Sequence, residues 1–408
     1  IYAQMEANGL SHQLLYYTAL TSDEGISHSI SSELANMAAN NLVPTNSFVL
    51  STWSNWYKYV YMANSVLEGI EASSTLSSSV KIQLKGEALF VRAFCHFYLS
   101  QLFGDIPYIS STNYKGNMTS SRIPVLDVLE KVKADLLEAK LNLSNTYLSP
   151  SNKLTTERVR PTKAAAAAML ARIYLILNDW ELAESESNFV IENNSLYKLS
   201  NSLNRVFLAN SEEAIWQWMA TRPRYNSYTG GSLIPNASPT QFTMRPEFLN
   251  LFLPTDRRRE NWIKGINGSS VVYYYPFKYQ VGQGAASITE YTMVLRVAEL
   301  FFIRAEAKLM MGDIDGCLTD LNLIRNRAGL ESIETISPND LYREIQKERA
   351  LELFAEFGDR WINLKRTGII DSVMQNIKGQ NWVTTDQLFP IPQAEMDRNP
   401  FLTQNPGY

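Results

Sequence analysis

The stretch "RAFCHFYLSQLFGDIPYI", residues 92–109, decides which fold the chain adopts. Through it and the residues before it, Leu84, Ala88, Val91, Phe94, Cys95, Tyr98, Leu99 and Leu102 recur at three- and four-residue steps, the spacing of one helical face. Gly104 stands where a helix can end in a left-handed residue, and Pro107 forbids continuation. A buried helix over 80–103 with a stop signal explains the aromatics better than a ligand-gripping box. His96, inside that run, is read as a structural residue.

Working outward, the same design recurs. Residues 163–194, "KAAAAAMLARIYLILNDWELAESESNFVIENN", read as helix, tight Asn-Asp turn and helix. Residues 299–330 repeat the plan with Gly312-Asp313 at the turn. Alanines among larger apolar residues (Ala167, Ala171, Ala183, Ala305, Ala307) let paired helices approach closely. Helix pairs of about 34 residues with this small/large alternation follow the tetratricopeptide plan. Further helices are expected over 125–143 and 341–366. The fold class is therefore mainly α, with tetratricopeptide-like helix pairs forming a partial solenoid over about 80–194 and 293–366. Between them, 196–290 is dense in Gly, Ser, Pro and Tyr, so it is expected to be a loop-rich insertion with short strands. Residues 21–56 are expected to be irregular as far as the helix carrying Trp53 and Trp56. The C-terminus, with Pro390, Pro392, Pro400 and Pro406, is expected to be an extended arm. The whole chain, 1–408, is taken as one unit.

Composition bounds the function. A net charge of −4 over 408 residues is no nucleic-acid footprint, which needs a basic face. Two cysteines, Cys95 and Cys317, exclude a disulfide framework. No apolar run approaches the ~18 residues that would span a bilayer. Ile1 opens inside an amphipathic pattern, so the natural N-terminus is expected to lie ahead of it. The 21 Tyr and 8 Trp are the one compositional sign of a binding surface.

Catalytic signatures are missing. Three histidines (His12, His28, His96) have no metal-ligand spacing, and neither a G-x-S-x-G elbow nor a phosphate-binding G-x-x-x-x-G-K occurs. "GDIDG" at 312–316 reads as a repeat turn, since the downstream ligands of a calcium loop are absent. Asp23-Glu24 is a poor glycosidase pair, because adjacent carboxylates do not straddle a scissile bond. Glu344, Glu348, Glu352 and Glu356 share one helical face, where like charges repel unless paired. With Arg325, Arg327, Arg349 and Arg360 nearby, an interhelical ion-pair network is the better reading than a metal site. No enzyme, cofactor or metal is expected.

Five stretches in order, "RAFCHFYLSQLFGDIPYI", "RVAELFFIRAEAKLMMGD", "LNLIRNRAGL", "ERALELFAEFGDRWINLKRTG" and "LFPIPQAEMDRNPFLTQNPGY", resemble the SusD/RagB family, surface nutrient-binding lipoproteins of Bacteroidota. The resemblance runs from about residue 52 to the end. It implies nutrient capture at the cell outer membrane, a lipid anchor on a Cys ahead of this chain, and delivery to a SusC-like TonB-dependent transporter. It leaves glycan and peptide ligands open, with a protein-binding scaffold as the other class. Tyrosines concentrated outside the helices favour a glycan over a bare scaffold. Loops are free to aim side chains outward, so the site is expected where the early segment meets the insertion. Asp23, Asn46 and Arg224 are the candidate hydrogen-bonding groups. Trp53, Tyr225, Tyr228, Trp262 and Tyr274 are the candidate stacking surfaces, about half of which are expected to be packing instead. Tyr273 and Tyr275 alternate with Tyr274, so only one set can face a ligand.

Overall fold

Residues 1–236, 241–284 and 287–408 are described by the computed structural model. Parts of the two Gly/Ser-rich runs in the insertion, 237–240 and 285–286, lie outside the described residues. Helices α1 (Tyr2–Ala7) and α2 (Leu10–Thr21) turn on Gly9 at φ 65°, and the Tyr228 ring lies where a Cβ there would sit. After strand β1 (Gly25–Ser27) comes α3 (Ser32–Ala38), whose N-cap Ser31 accepts from the N–H of Leu34.

The array opens earlier than the sequence pattern suggested. Asn46 accepts from the N–H groups of Phe48 and Val49 and so starts α4 (Ser47–Ala72). Next is α5 (Ser78–Phe103), the expected core helix. It stops at Gly104, φ 71°, where a Cβ would come within 2.9 Å of Leu388. Phe94 is fully buried, with the rings of Phe90, Tyr98, Trp216 and Trp56 within 6.1 Å. His96 is neutral: burial pushes it down to about 3, Nδ1–H donates to Arg92 O, and Nε2 accepts from the N–H of Ile109. Cys95 and Cys317 are buried free thiols.

A single turn, α6 (Tyr114–Asn117), precedes α7 (Val125–Asn142), α8 (Lys163–Ile176) and α9 (Trp180–Ile191). The insertion follows. It contains β2 (Ala214–Trp218), α10 (Tyr228–Leu233), β3 (Phe242–Met244), α11 (Pro246–Leu249), α12 (Arg257–Trp262), β4 (Ile263–Asn267), β5 (Val272–Pro276) and β6 (Thr292–Arg296). The strands form three antiparallel pairs, β1–β3, β2–β6 and β4–β5. Helices α13 (Val297–Met310) and α14 (Ile314–Arg327) resume the array, then α15 (Pro338–Leu353), α16 (Asp359–Arg366), α17 (Ile370–Lys378) and α18 (Gln393–Arg398). Neighbours stack in the order α4, α5, α7, α8, α9, α13, with α13 also against α14 and α15. The array therefore passes directly from α9 to α13, and the insertion packs into the same core, Trp216 and Trp218 of β2 lying against Phe94 of α5. The turn at 312–316 is a capped repeat turn, Asp313 accepting from the N–H of Gly316.

The glutamate stripe is paired, though not by every arginine expected: Arg349 instead bonds Glu299 and Asp359, and Arg360 bonds Asp23. Arg258 and Arg325 bond Glu348, Arg296 and Arg327 bond Glu352, and Arg296 and Lys278 bond Glu356. Glu344 lies 3.5 Å from Lys347. These contacts tie insertion residues and the end of α14 to α15 and the residues just after it.

Candidate functional site

The early segment and the insertion do meet. β1 pairs with β3, Gly25 opposite Met244, and the N–H of His28 donates to Gln241 O. His28 Nε2 lies 2.9 Å from Thr243 Oγ1, and its ring is edge-on to Tyr273 at 5.1 Å. The pleat of β5 leaves Tyr274 exposed, while Tyr273 is half-buried and Tyr275 buried.

The eight candidates do not gather into one site. Asp23 is buried and consumed by Arg360, which donates from Nε at 2.9 Å and Nη2 at 2.6 Å. Asn46 is buried as the α4 cap, its Nδ2 donating to Glu33 O. Trp262 is 0% exposed, donates from Nε1 to Leu203 O, and packs against Phe207 and Phe354. These three are corrections: each is already satisfied inside the fold and presents nothing to a ligand. Tyr225 and Tyr228 are half-buried and stacked on each other at 6.4 Å. Tyr228 also contacts the ring of His12 and the guanidinium of Arg222, and Tyr225 lies where a Cβ on Gly231 would sit. Arg224 is exposed at φ 66°, its carbonyl accepting from the N–H of Gly284. Of the eight, Trp53 and Tyr274 line hollows, in different places.

Trp53 belongs to a groove of about 500 Å³ that loop reasoning missed. Its floor is α4, where Trp53, Tyr57 and Tyr61 recur every fourth residue and so share one face. One wall is the chain returning from α5. Tyr57 donates its O–H to Pro107 O at 2.7 Å, and Asn64 Nδ2 donates to Ile109 O at 3.1 Å. This wall carries Tyr114, Asn117 and Met118. The other wall is the C-terminal arm with Glu395, Arg398, Asn399 and Leu402. The arm is pinned: Phe389 N–H donates to Leu102 O, Gln393 N–H to Pro44 O, and Asn399 Nδ2 to Ser120 O.

Exposure grades along the groove. Trp53 is 3% exposed, edge-on to Phe103 at 5.0 Å, and contributes an edge; Tyr61 and Tyr114 are 52% and 64% exposed and offer ring surface. Burial pushes the Tyr57 phenol well above its ordinary range, with Glu395 adding to the shift, so it stays a neutral donor. Glu395 and Arg398 pair at 2.7 Å on the rim. The lining thus combines ring faces for apolar C–H surfaces with amides and a carboxylate for hydroxyls. Glu395 is its single carboxylate among the described residues. The signal for this groove was in the sequence as the 53-57-61 stripe. Which side of α4 stayed uncovered was not.

Residues 2–175 match a family model described as "Starch-binding associating with outer membrane", and residues 257–408 match the model of the SusD family. A SusD-like protein P2 from Formosa agariphila is 26% identical over 426 aligned positions, covering 89% of this chain and 81% of its own. A SusD superfamily protein of known structure from Bacteroides vulgatus superposes with TM-score 0.86 at 21% identity, over 100% of this chain and 96% of that one. A laminarin-binding SusD-like protein superposes with TM-score 0.83 at 21% identity, over 100% and 97% of the two chains. With models matching both of its ends, a relative aligned along nearly all of it and the same helical array in solved structures, the chain belongs to the SusD/RagB family.

Proposed function

We propose that this protein is a non-catalytic carbohydrate-binding protein of the outer-membrane surface, and that it holds a glycan in the groove between α4 and the C-terminal arm. The observation that carries this reading is the groove itself: exposed Tyr61 and Tyr114 beside Asn117 and Glu395. The laminarin-binding neighbour and the starch-binding family description support a glycan over a peptide. The same description supports an outer-membrane location, and no helix among the described residues is long and apolar enough to cross a membrane. A lipid anchor ahead of Ile1 and delivery to a SusC-like TonB-dependent transporter complete the proposal.

The test is isothermal titration with laminarin and maltohexaose, and with short peptides as the competing class. Tyr61→Ala and Tyr114→Ala should each lose ~1 kcal/mol, about fivefold in Kd, without changing the melting temperature. If both variants bind every glycan as the parent does, the groove is not the site. Binding of peptides alone would replace the glycan reading. Detergent extraction from native membranes should co-purify a TonB-dependent transporter, and its consistent absence would remove that partner.

A further inference from the structure

Residues 257–259 are three consecutive arginines in a chain of net charge −4. Their fates differ. Arg258 is 0% exposed and bound to Asp256 and Glu348. That leaves Arg257 and Arg259 on the outer side of α12, where both line a hollow of about 330 Å³ with Glu260 and Tyr274. Arg257 also lines a second hollow of about 540 Å³, with Asn194, Asn201 and Leu323, so this residue borders both hollows.

Arg257 is held in place but not neutralised. Its backbone bonds Ala328 and Asn261, and its side chain lies on Gly329, where a Cβ would come within 2.8 Å of Nε. Gly329 has φ 77°, so both backbone and space favour glycine there. Among the described residues no carboxylate lies within the 4.0 Å of an ion pair from the Arg257 guanidinium. Beside it, Tyr274 is the one ring of its strand's Tyr triplet that points outward, 37% exposed and set over Gly265. An oriented, unpaired guanidinium matches a carboxylate or sulfate, and an adjacent ring face matches the C–H face of a sugar. In the second hollow, the exposed amides Asn194 and Asn201 offer hydroxyl partners.

We infer that this cleft is a second saccharide subsite, separate from the α4 groove, and that it takes an anionic sugar. The anion sits on Arg257 and a neighbouring ring stacks on Tyr274. The inference rests on the carbohydrate reading above but on different residues, so the two can fail separately.

The experiment titrates the parent, Arg257→Ala, Arg257→Lys, Tyr274→Ala and Arg343→Ala with three probes. These are an oligogalacturonate (carboxylate), a carrageenan oligosaccharide (sulfate) and neutral laminarin. Arg343 is an exposed arginine on α15, so Arg343→Ala removes the same charge elsewhere. At least one acidic probe should bind the parent and weaken about tenfold in Arg257→Ala, the size of a lost charge-assisted hydrogen bond. Arg257→Lys should recover part of that loss. Tyr274→Ala should weaken it several-fold and Arg343→Ala should not. Which acidic probe responds tells carboxylate from sulfate. Neutral laminarin should be indifferent to Arg257→Ala. The subsite is overturned if neither acidic probe binds, or if Arg257→Ala and Arg343→Ala weaken binding equally, which would show a general charge effect. Loss of laminarin binding in the Tyr61 and Tyr114 variants reads the groove alone.

Discussion

Asp23 and Glu24 are neighbours in sequence with opposite fates. Asp23 is ion-paired with Arg360. Glu24 is buried, its Oε1 accepting from the N–H of Ala355 at 3.1 Å, and burial, with Asp23 beside it, pushes its carboxyl up to about 8. A folded-state value above the ordinary 4.5 means the fold prefers the neutral acid. That preference contributes fully below the ordinary value and is lost as pH rises through about 8. Glu24→Gln is neutral throughout, so it should gain stability relative to the parent as pH rises from 5 to 9. Urea midpoints at both ends of that range measure it, and a constant difference would show that Glu24 is already ionised at pH 5.

At the scale of the element, α5 shows why an aromatic helix is a core and not a ligand box. From Ala88 to Phe103 nearly every residue is buried, because α4 covers one side, α7 another, and Trp216 and Trp218 of β2 close a third. A helix packed all round needs no polar face, so aromatics fill positions that a surface helix would give to charge. Phe94→Ala should cost ~3–5 kcal/mol, the range for truncating a buried aromatic. Chemical denaturation checks it, and an unchanged midpoint would remove Phe94 from the core.

Across the whole molecule, the insertion is held to the array by charge as well as by apolar contact. Glu352, 0% exposed, faces Arg296 and Arg327, with Arg258 at 3.6 Å; Arg258 comes from the insertion and Arg327 from the end of α14. Burial alone would raise the Glu352 carboxyl, but these cations hold it well below the usual carboxylate range. Removing it leaves buried cations facing one another. Glu352→Ala should cost ~3–5 kcal/mol, the usual result of breaking one side of a buried pair. Hydrogen exchange should show the loss as faster exchange in 256–280 than in α8. Uniform protection at parent stability would mean that the network is dispensable.

What the sequence by itself determined was set by short-range spacing: the helix over 80–103 and its stop at Gly104, the paired helices at 163–194 and 299–330, and the pairing of the glutamate stripe. Each depends on residues a few positions apart, or on a rule that like charges on one face need partners. The pleat likewise stated that Tyr274 and its two neighbours must face opposite ways. Only the tertiary structure decided which side chains remain free for a ligand. Asp23 is consumed by a residue 337 positions away and Trp262 by a carbonyl 59 positions away, and no local pattern announces such partners. The 53-57-61 stripe was legible as a helical face, yet it becomes a groove because the chain after α5 and the C-terminal arm border α4 without covering it. Burial is a property of the neighbours a residue acquires, and those are chosen by the packing of the whole chain.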